Sequence, residues 1–429
     1  MICKKTLHFH IGSHKTATTT LQNALAANED LLAGAGLLYP KSGRYFTGHH
    51  PLALQLRDPA LRDQPLETLG DWPALLREIQ ASPADHVLLS SENFEWLQDL
   101  SRLQGLSRHY RVRVLFYMRS PAGYLESFYN QLVKDLKTRE SRPLESYICE
   151  HGLFFLDNDR LLRRWSETFG AQALQVRLYD RSGSAETLVS RFLSALGCQS
   201  QPRLLLPQEA ALQKVSLPPD ALEYLRLRNL YRAPSTGQHR ITMSLAQIAQ
   251  AGTGAGTGAG IGAGALQRTR AGLLSLAAQQ NLIRRFAEGN RRVARAYLGA
   301  DRAPFDPDQA RAHADFDQRL PVGDDVMISR VEALLSRFAK TAPAPADAVD
   351  PAHSSQTCPN QASSNASSTD FTSSDVASPD FDIPDFTSSD PTSSDFTSSD
   401  FTSSDPTSSD AATRPPSALP APPLQPPTG

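Results

Sequence analysis

Apolar and polar positions in this 429-residue chain fall into short, nearly unbroken apolar runs and longer amphipathic ones. Leu7 to Ile11, Val87 to Ser90, Arg111 to Tyr117 and Leu174 to Tyr179 have strand length and are rich in Val, Leu, Phe and Tyr. Such runs predict strands buried in the core of a sheet. Helical patterns separate them: one starting at Leu21, then Leu52 to Leu56, Trp72 to Gln80, Phe94 to Leu100, Pro121 to Lys134, Leu144 to Cys149 and Asp157 to Thr168. Thr187 to Leu196 is another, stopped by Gly197, and Pro218 to Tyr231 and Leu273 to Leu298 follow. Gly34 to Pro40 reads as an exposed connection. Strands alternating with helices predict an α/β fold, a parallel sheet flanked by helices.

The pattern fails twice. Gly252 to Gly264 alternates Ala, Gly and Thr, too little apolar surface to pack, and reads as a flexible insertion at about 251–265 within a domain spanning 1–340. From 341 to 429 the fold signals stop. Asp recurs every five residues from Asp370 to Asp410, mostly in Asp-Phe-Thr-Ser-Ser or Asp-Pro-Thr-Ser-Ser units, a period that fits neither helix nor strand. This stretch is expected to be a disordered, acidic, repetitive tail.

The first strand runs into a polar turn, Gly12-Ser13-His14-Lys15-Thr16-Ala17-Thr18-Thr19, and then into a helix. Strand, polar turn and helix make an anion cradle, because amides at a helix start lack helical partners and the dipole favours negative charge. Lys15 adds a full charge and the threonines add hydroxyl donors. The third strand ends in Arg119-Ser120-Pro121, with Pro121 suited to a first helical position and Ser127 two turns on. Arg119 offers a fork to phosphate and Ser127 a further donor, a second anion site.

These two stretches resemble sulfotransferases that use 3′-phosphoadenosine 5′-phosphosulfate (PAPS). His14-Lys15-Thr16-Ala17-Thr18-Thr19 is similar to the His-Lys-Thr-Gly-Thr-Thr form of that family's 5′-phosphosulfate loop. Ala17 stands where the family has glycine, and a left-handed backbone there costs alanine about 1 kcal/mol or more. Arg119, Pro121, Ser127 and Tyr129 match its Arg-x-Pro-x-x-x-x-x-Ser-x-Tyr 3′-phosphate motif. Phe192 to Gly197 and Phe286 to Ala294 resemble later helices of such proteins. The resemblance implies a P-loop, nucleotide-kinase-like parallel sheet and sulfuryl transfer from PAPS to a hydroxyl or amine. By the same implication Gly12 to Thr19 hold the 5′-phosphosulfate, Lys15 stabilises the leaving oxygen, and Arg119 with Ser127 holds the 3′-phosphate.

Glu92 follows the second strand at its C-terminal end, where open α/β sheets carry their ligands, and is the candidate general base. It equally suits a helix N-terminus. Many family members use a histidine, so His14, His49 and His50 are rivals; His49 and His50 are also candidate acceptor contacts or structural residues. Adjacent histidines point to different sides, which argues against a shared metal, and no metal is expected.

Charge changes the picture in one respect. The tail from 341 holds twelve Asp and one basic residue, Arg414, so residues 1–340 keep 42 of the 43 basic and 33 of the 45 acidic side chains, a net of +9. A basic body suits a polyanionic small ligand or an anionic acceptor polymer; the resemblance to bacterial members of the family implies a saccharide or glycolipid hydroxyl as acceptor. No Lys/Arg run interleaves with aromatics, which argues against nucleic acid. Cys3, Cys149, Cys198 and Cys358 lack metal spacing and predict a reducing, cytoplasmic setting. No run reaches membrane-spanning length. Two rival readings stay open. A small-molecule kinase with a degenerate loop would need Mg²⁺ and ATP, but lacks Gly-Lys-Ser/Thr adjacency. A non-catalytic module would bind 3′-phosphoadenosine 5′-phosphate (PAP) without turnover.

Overall fold

The computed structural model describes residues 4–180, 184–197, 204–206, 216–231, 237–251, 273–310, 328–329, 331–333 and 335–336. Five strands, β1 (Thr6–His10), β2 (Leu37–Leu38), β3 (His86–Ser90), β4 (Arg111–Met118) and β5 (Leu174–Leu178), form one parallel sheet in the order β2-β3-β1-β4-β5. β1 is central: Thr6 to His10 pair with His86 to Ser90 on one side and with Arg111 to Leu115 on the other. All the C-terminal strand ends therefore share one edge, the sheet order reversing around β1.

Parallel strands need long crossovers, and helices supply them. After β1 come α1 (Thr18–Ala26) and α2 (Glu29–Gly34); after β2, α3 (His50–Arg57) and α4 (Trp72–Ala81); after β3, the short α5 (Ser101–Gln104). Between β4 and β5 lie α6 (Pro121–Lys134), α7 (Leu144–His151) and α8 (Asn158–Phe169). The remainder is α9 (Ala185–Ala195), α10 (Pro219–Leu230), α11 (Gln238–Ala251), α12 (Leu276–Arg285) and α13 (Ala287–Val293).

Alternation along β1 divides the core. Leu7, Phe9 and Ile11 face a layer with α3, α4 and α8, where Phe9 meets Phe94 edge-on at 5.4 Å and Trp165 at 5.6 Å. His8 and His10 point the other way, toward α1 and α9, and His10 lies 4.9 Å from the ring of Phe192. A third cluster joins α6, α7, α10 and α12.

Four strands fall where the apolar runs place them, and the predicted parallel sheet flanked by helices is the observed fold. Gly34 to Pro40 departs from expectation: it holds edge strand β2, with Leu37 and Tyr39 buried. Phe94 to Leu100 is not an α-helix. Ser91 accepts the Asn93 amide at 3.2 Å and caps a 3-10 turn, Glu92–Trp96, after which the chain extends. Leu273 to Leu298 is broken at Phe286, between α12 and α13. The insertion, beyond Ala251, and the tail 341–429 lie outside the described residues.

Candidate active site

Beyond β1 the chain stays locked to its neighbours. The Ser91 amide donates to the His10 carbonyl at 3.1 Å, Ile11 donates to Leu115 at 3.1 Å, Tyr117 donates to Gly12 at 2.8 Å and Ser13 donates to Tyr117 at 3.2 Å. Gly12 has φ 101°, and a Cβ there would lie 3.3 Å from the Glu92 Cβ, so the position calls for glycine. The turn then carries two left-handed non-glycine residues, Lys15 (φ 66°) and Ala17 (φ 60°), on either side of Thr16. Backbone in which left-handed residues alternate with others can turn successive amides to one side, the geometry of anion-binding nests. α1 begins at once, at Thr18, and its N-cap residue, Ala17, has no side-chain acceptor to occupy the first-turn amides.

The hydroxyl of Thr16 turns inward and donates to the Ser13 carbonyl at 2.6 Å, so its proton braces the turn. Thr18 is buried, and Thr19 is half-buried. Lys15 Nζ donates to Gln131 Oε1 of α6 at 3.1 Å.

The second strand-to-helix junction meets the first. Arg119, between β4 and α6, donates from Nη1 to the Lys15 carbonyl at 2.6 Å. Its guanidinium also lies 5.9 Å from the centre of the Tyr179 ring, just past β5. The guanidinium passes close to Gly123 in the first turn of α6, where a Cβ would make ordinary contact with the Arg119 Nε at 3.5 Å. Ser127 is half-buried on α6. Tyr129 is buried and donates to the Arg142 carbonyl at 2.6 Å, which gives it a packing role. Beside the loop opens a cavity of about 210 Å³ whose lining includes Ala17, Thr20, Tyr117, Tyr179, Ser184 and Arg191.

On the opposite side of the loop, at the end of β3, stands Glu92. Gln22 Nε2 donates to its Oε2 at 3.1 Å, and His50 Nδ1 lies 4.0 Å from the same oxygen. His50 also shares a hydrogen bond with Ser91 Oγ at 2.9 Å. His49, expected as an acceptor contact or a structural residue, has no exposed surface. Its Nε2 bonds the Pro40 carbonyl at 3.1 Å and its Nδ1 accepts the Ser90 amide at 3.2 Å, tying the approach to α3 onto β3. Burial lowers its pKa to about 3, so the ring stays neutral.

His14 points into the protein. Its ring stacks on Trp96, centroids 4.4 Å apart at 19°, and its Nδ1 bonds the carboxylate of Glu95. The same carboxylate accepts the His14 amide at 3.3 Å and the hydroxyl of Tyr124. Burial and then the Glu95 charge push the Tyr124 pKa well up, keeping it a donor. Glu95, Tyr124 and Gln131 are absent from any motif, because Glu95 and Gln131 meet the loop across 81 and 116 residues of sequence and Tyr124 acts through Glu95, 29 residues away; only Glu95 on a turn beside the candidate base offers a local signal.

Among the described residues there is no group of three His, Cys, Asp or Glu placed to hold a metal ion, and no helix is long and apolar enough to cross a membrane. No known protein-family model matches the chain, and no curated protein does. Among solved structures, a sulfotransferase from Alicyclobacillus acidocaldarius matches at 15% identity and a TM-score of 0.34, covering 55% of this chain and 94% of that one.

Proposed function

We propose that this protein transfers a sulfuryl group from PAPS to a hydroxyl or amine acceptor, a saccharide hydroxyl foremost. One observation carries the reading: the Lys15 turn after β1 and Arg119 after the adjacent β4 are joined by a 2.6 Å hydrogen bond. Two cationic strand-to-helix junctions side by side suit a ligand with two separated anionic ends. The cavity beside Ala17 and Thr20, walled by Tyr179 and Arg191, offers an aromatic face and a cation for the nucleoside between those ends.

On this reading the nest of residues 12–19 holds the 5′-phosphosulfate, and Arg119 with Ser127 takes the 3′-phosphate. The acceptor approaches from the Glu92 and His50 side. Its oxygen attacks sulfur in line; the new S–O bond forms as the bond from sulfur to the 5′-phosphate oxygen breaks. Glu92 takes the acceptor proton, and Lys15 neutralises the charge growing on the departing oxygen. As in phosphoryl transfer, the work is positioning and charge stabilisation, and no step calls on a metal ion. The cysteine pattern and the reaction suit a cytoplasmic enzyme.

Thermal denaturation with PAP, beside ATP and Mg²⁺, tests the reading. A ligand that binds only the folded state raises the melting temperature by mass action. A rise with PAP alone is expected; a rise with Mg-ATP alone overturns it in favour of a kinase.

A further inference from the structure

The left-handed residues of the turn need an explanation. Non-glycine residues hold such conformations only where their surroundings over-determine them. Lys15 is fixed from its carbonyl by Arg119 and from its side chain by Gln131. The residue before it, His14, is held by Glu95 through ring and amide together.

We infer that Glu95 is a positioning residue for the anion-binding turn: its buried carboxylate, braced by Tyr124, clamps His14 and thereby sets Lys15 and the amides that follow. The inference deepens the reading above and rests on that same site.

Three features support a role beyond packing. First, Glu95 is only 5% exposed, and its two oxygens accept from three donors, two of them on one residue of the turn. A carboxylate taken out of water at that density is costly unless every contact is made, so the geometry tolerates little slack. Second, the clamp takes the His14 amide inward. The amides left to face an anion then start at Lys15, the first left-handed non-glycine residue of the turn. Third, the clamp rides on rigid walls. Trp96 stacks on His14 from the same 3-10 turn as Glu95, Phe128 of α6 meets the His14 ring edge-on at 6.1 Å, and Tyr124 comes from that helix too. The turn after β3 that carries Glu92 thus also carries the clamp, so candidate base and anion loop share one five-residue turn, Glu92–Trp96.

The test is a thermodynamic cycle on the full chain, read as PAP affinity by calorimetry well below the melting temperature. Glu95→Gln keeps the shape and removes the charge; His14→Phe keeps the stack on Trp96 and removes the bonds from the ring. A hydrogen bond to a charged group being lost, each single variant is expected to bind PAP about tenfold more weakly. Because both act through one contact, the double variant is expected to lose about tenfold as well, not a hundredfold. A folding role alone would lower the melting temperature of the ligand-free variants and leave PAP affinity intact, and that result overturns the inference. So does strict additivity. Mg-ATP is titrated in parallel. If the wild type binds Mg-ATP and not PAP, the donor reading falls while the clamp is judged on ATP affinity by the same cycle; if it binds neither, both fall.

Discussion

Arg119 reaches back across 104 residues of sequence to bond the carbonyl of Lys15, so the two cations of the site are not independent. Lys15 presents charge, whereas Arg119 both presents charge and holds the backbone that aims Lys15. Lys15→Ala is expected to lower kcat by about 10²- to 10³-fold, the range for removing one stabiliser of developing charge, with PAP affinity changed far less. Arg119→Ala is expected to weaken PAP by at least about tenfold, and Arg119→Lys to rescue little, since a lysine cannot reproduce the fork. Equal losses of affinity in Lys15→Ala and Arg119→Ala contradict this division.

Ala17 occupies a left-handed conformation at the head of α1. Glycine adopts it freely, so Ala17→Gly is expected to stabilise the protein by about 1 kcal/mol, read as a higher urea midpoint. PAP affinity is expected to hold or rise. A fall in stability means the alanine methyl contributes packing that outweighs the backbone term.

Glu92 is half-enclosed between Gln22 and His50, on the face of the turn away from Arg119. If it removes the acceptor proton, Glu92→Gln keeps the hydrogen-bonding outline yet lowers kcat by about 10²- to 10⁴-fold, with PAP binding unchanged. Full activity in Glu92→Gln moves the base role to His50, whose Nδ1 lies 4.0 Å from the same carboxylate.

Three buried histidines predict how stability responds to acid. Burial lowers His8 and His49 to about 3 and His10 to about 4, from an ordinary 6.5. The folded protein keeps them neutral while the unfolded chain protonates them, so stability is full above pH 6.5 and falls as the pH drops from there toward 3. Each contributes a slope of up to about 1.4 kcal/mol per pH unit within its window. Urea midpoints between pH 7 and pH 5 check this, with His10→Gln expected to flatten the slope. A profile identical in His10→Gln and wild type counts against it.

Much of the sheet was legible because its strands are short apolar runs set off by polar turns. β2 was not: two residues give no periodicity, and Gly34, Gly36 and Pro40 around Leu37 and Leu38 read as a connection. The threonines at 18 to 20 read as turn because they are poor helix formers, yet they open α1, where a first turn tolerates them. At the site, local order in the sequence revealed the turn, Arg119 and Glu92. It could not reveal Glu95, Tyr124 or Gln131, whose link to the turn is tertiary, nor that the Thr16 proton is directed to Ser13 and the His49 ring to Pro40 and Ser90. Spacing rules see neighbours on one element, not partners on different ones.

The central place of β1 has a consequence for synthesis. During synthesis β1 meets its neighbour β3 only when residues 86–90 have emerged, and its neighbour β4 only when residues 111–115 have. Its apolar side chains and the turn behind it must wait for both. A nascent chain arrested before residue 111 therefore carries Lys15 on an unfinished sheet, and the bond from Arg119 to the Lys15 carbonyl can form only once Arg119 has followed β4 out of the exit tunnel.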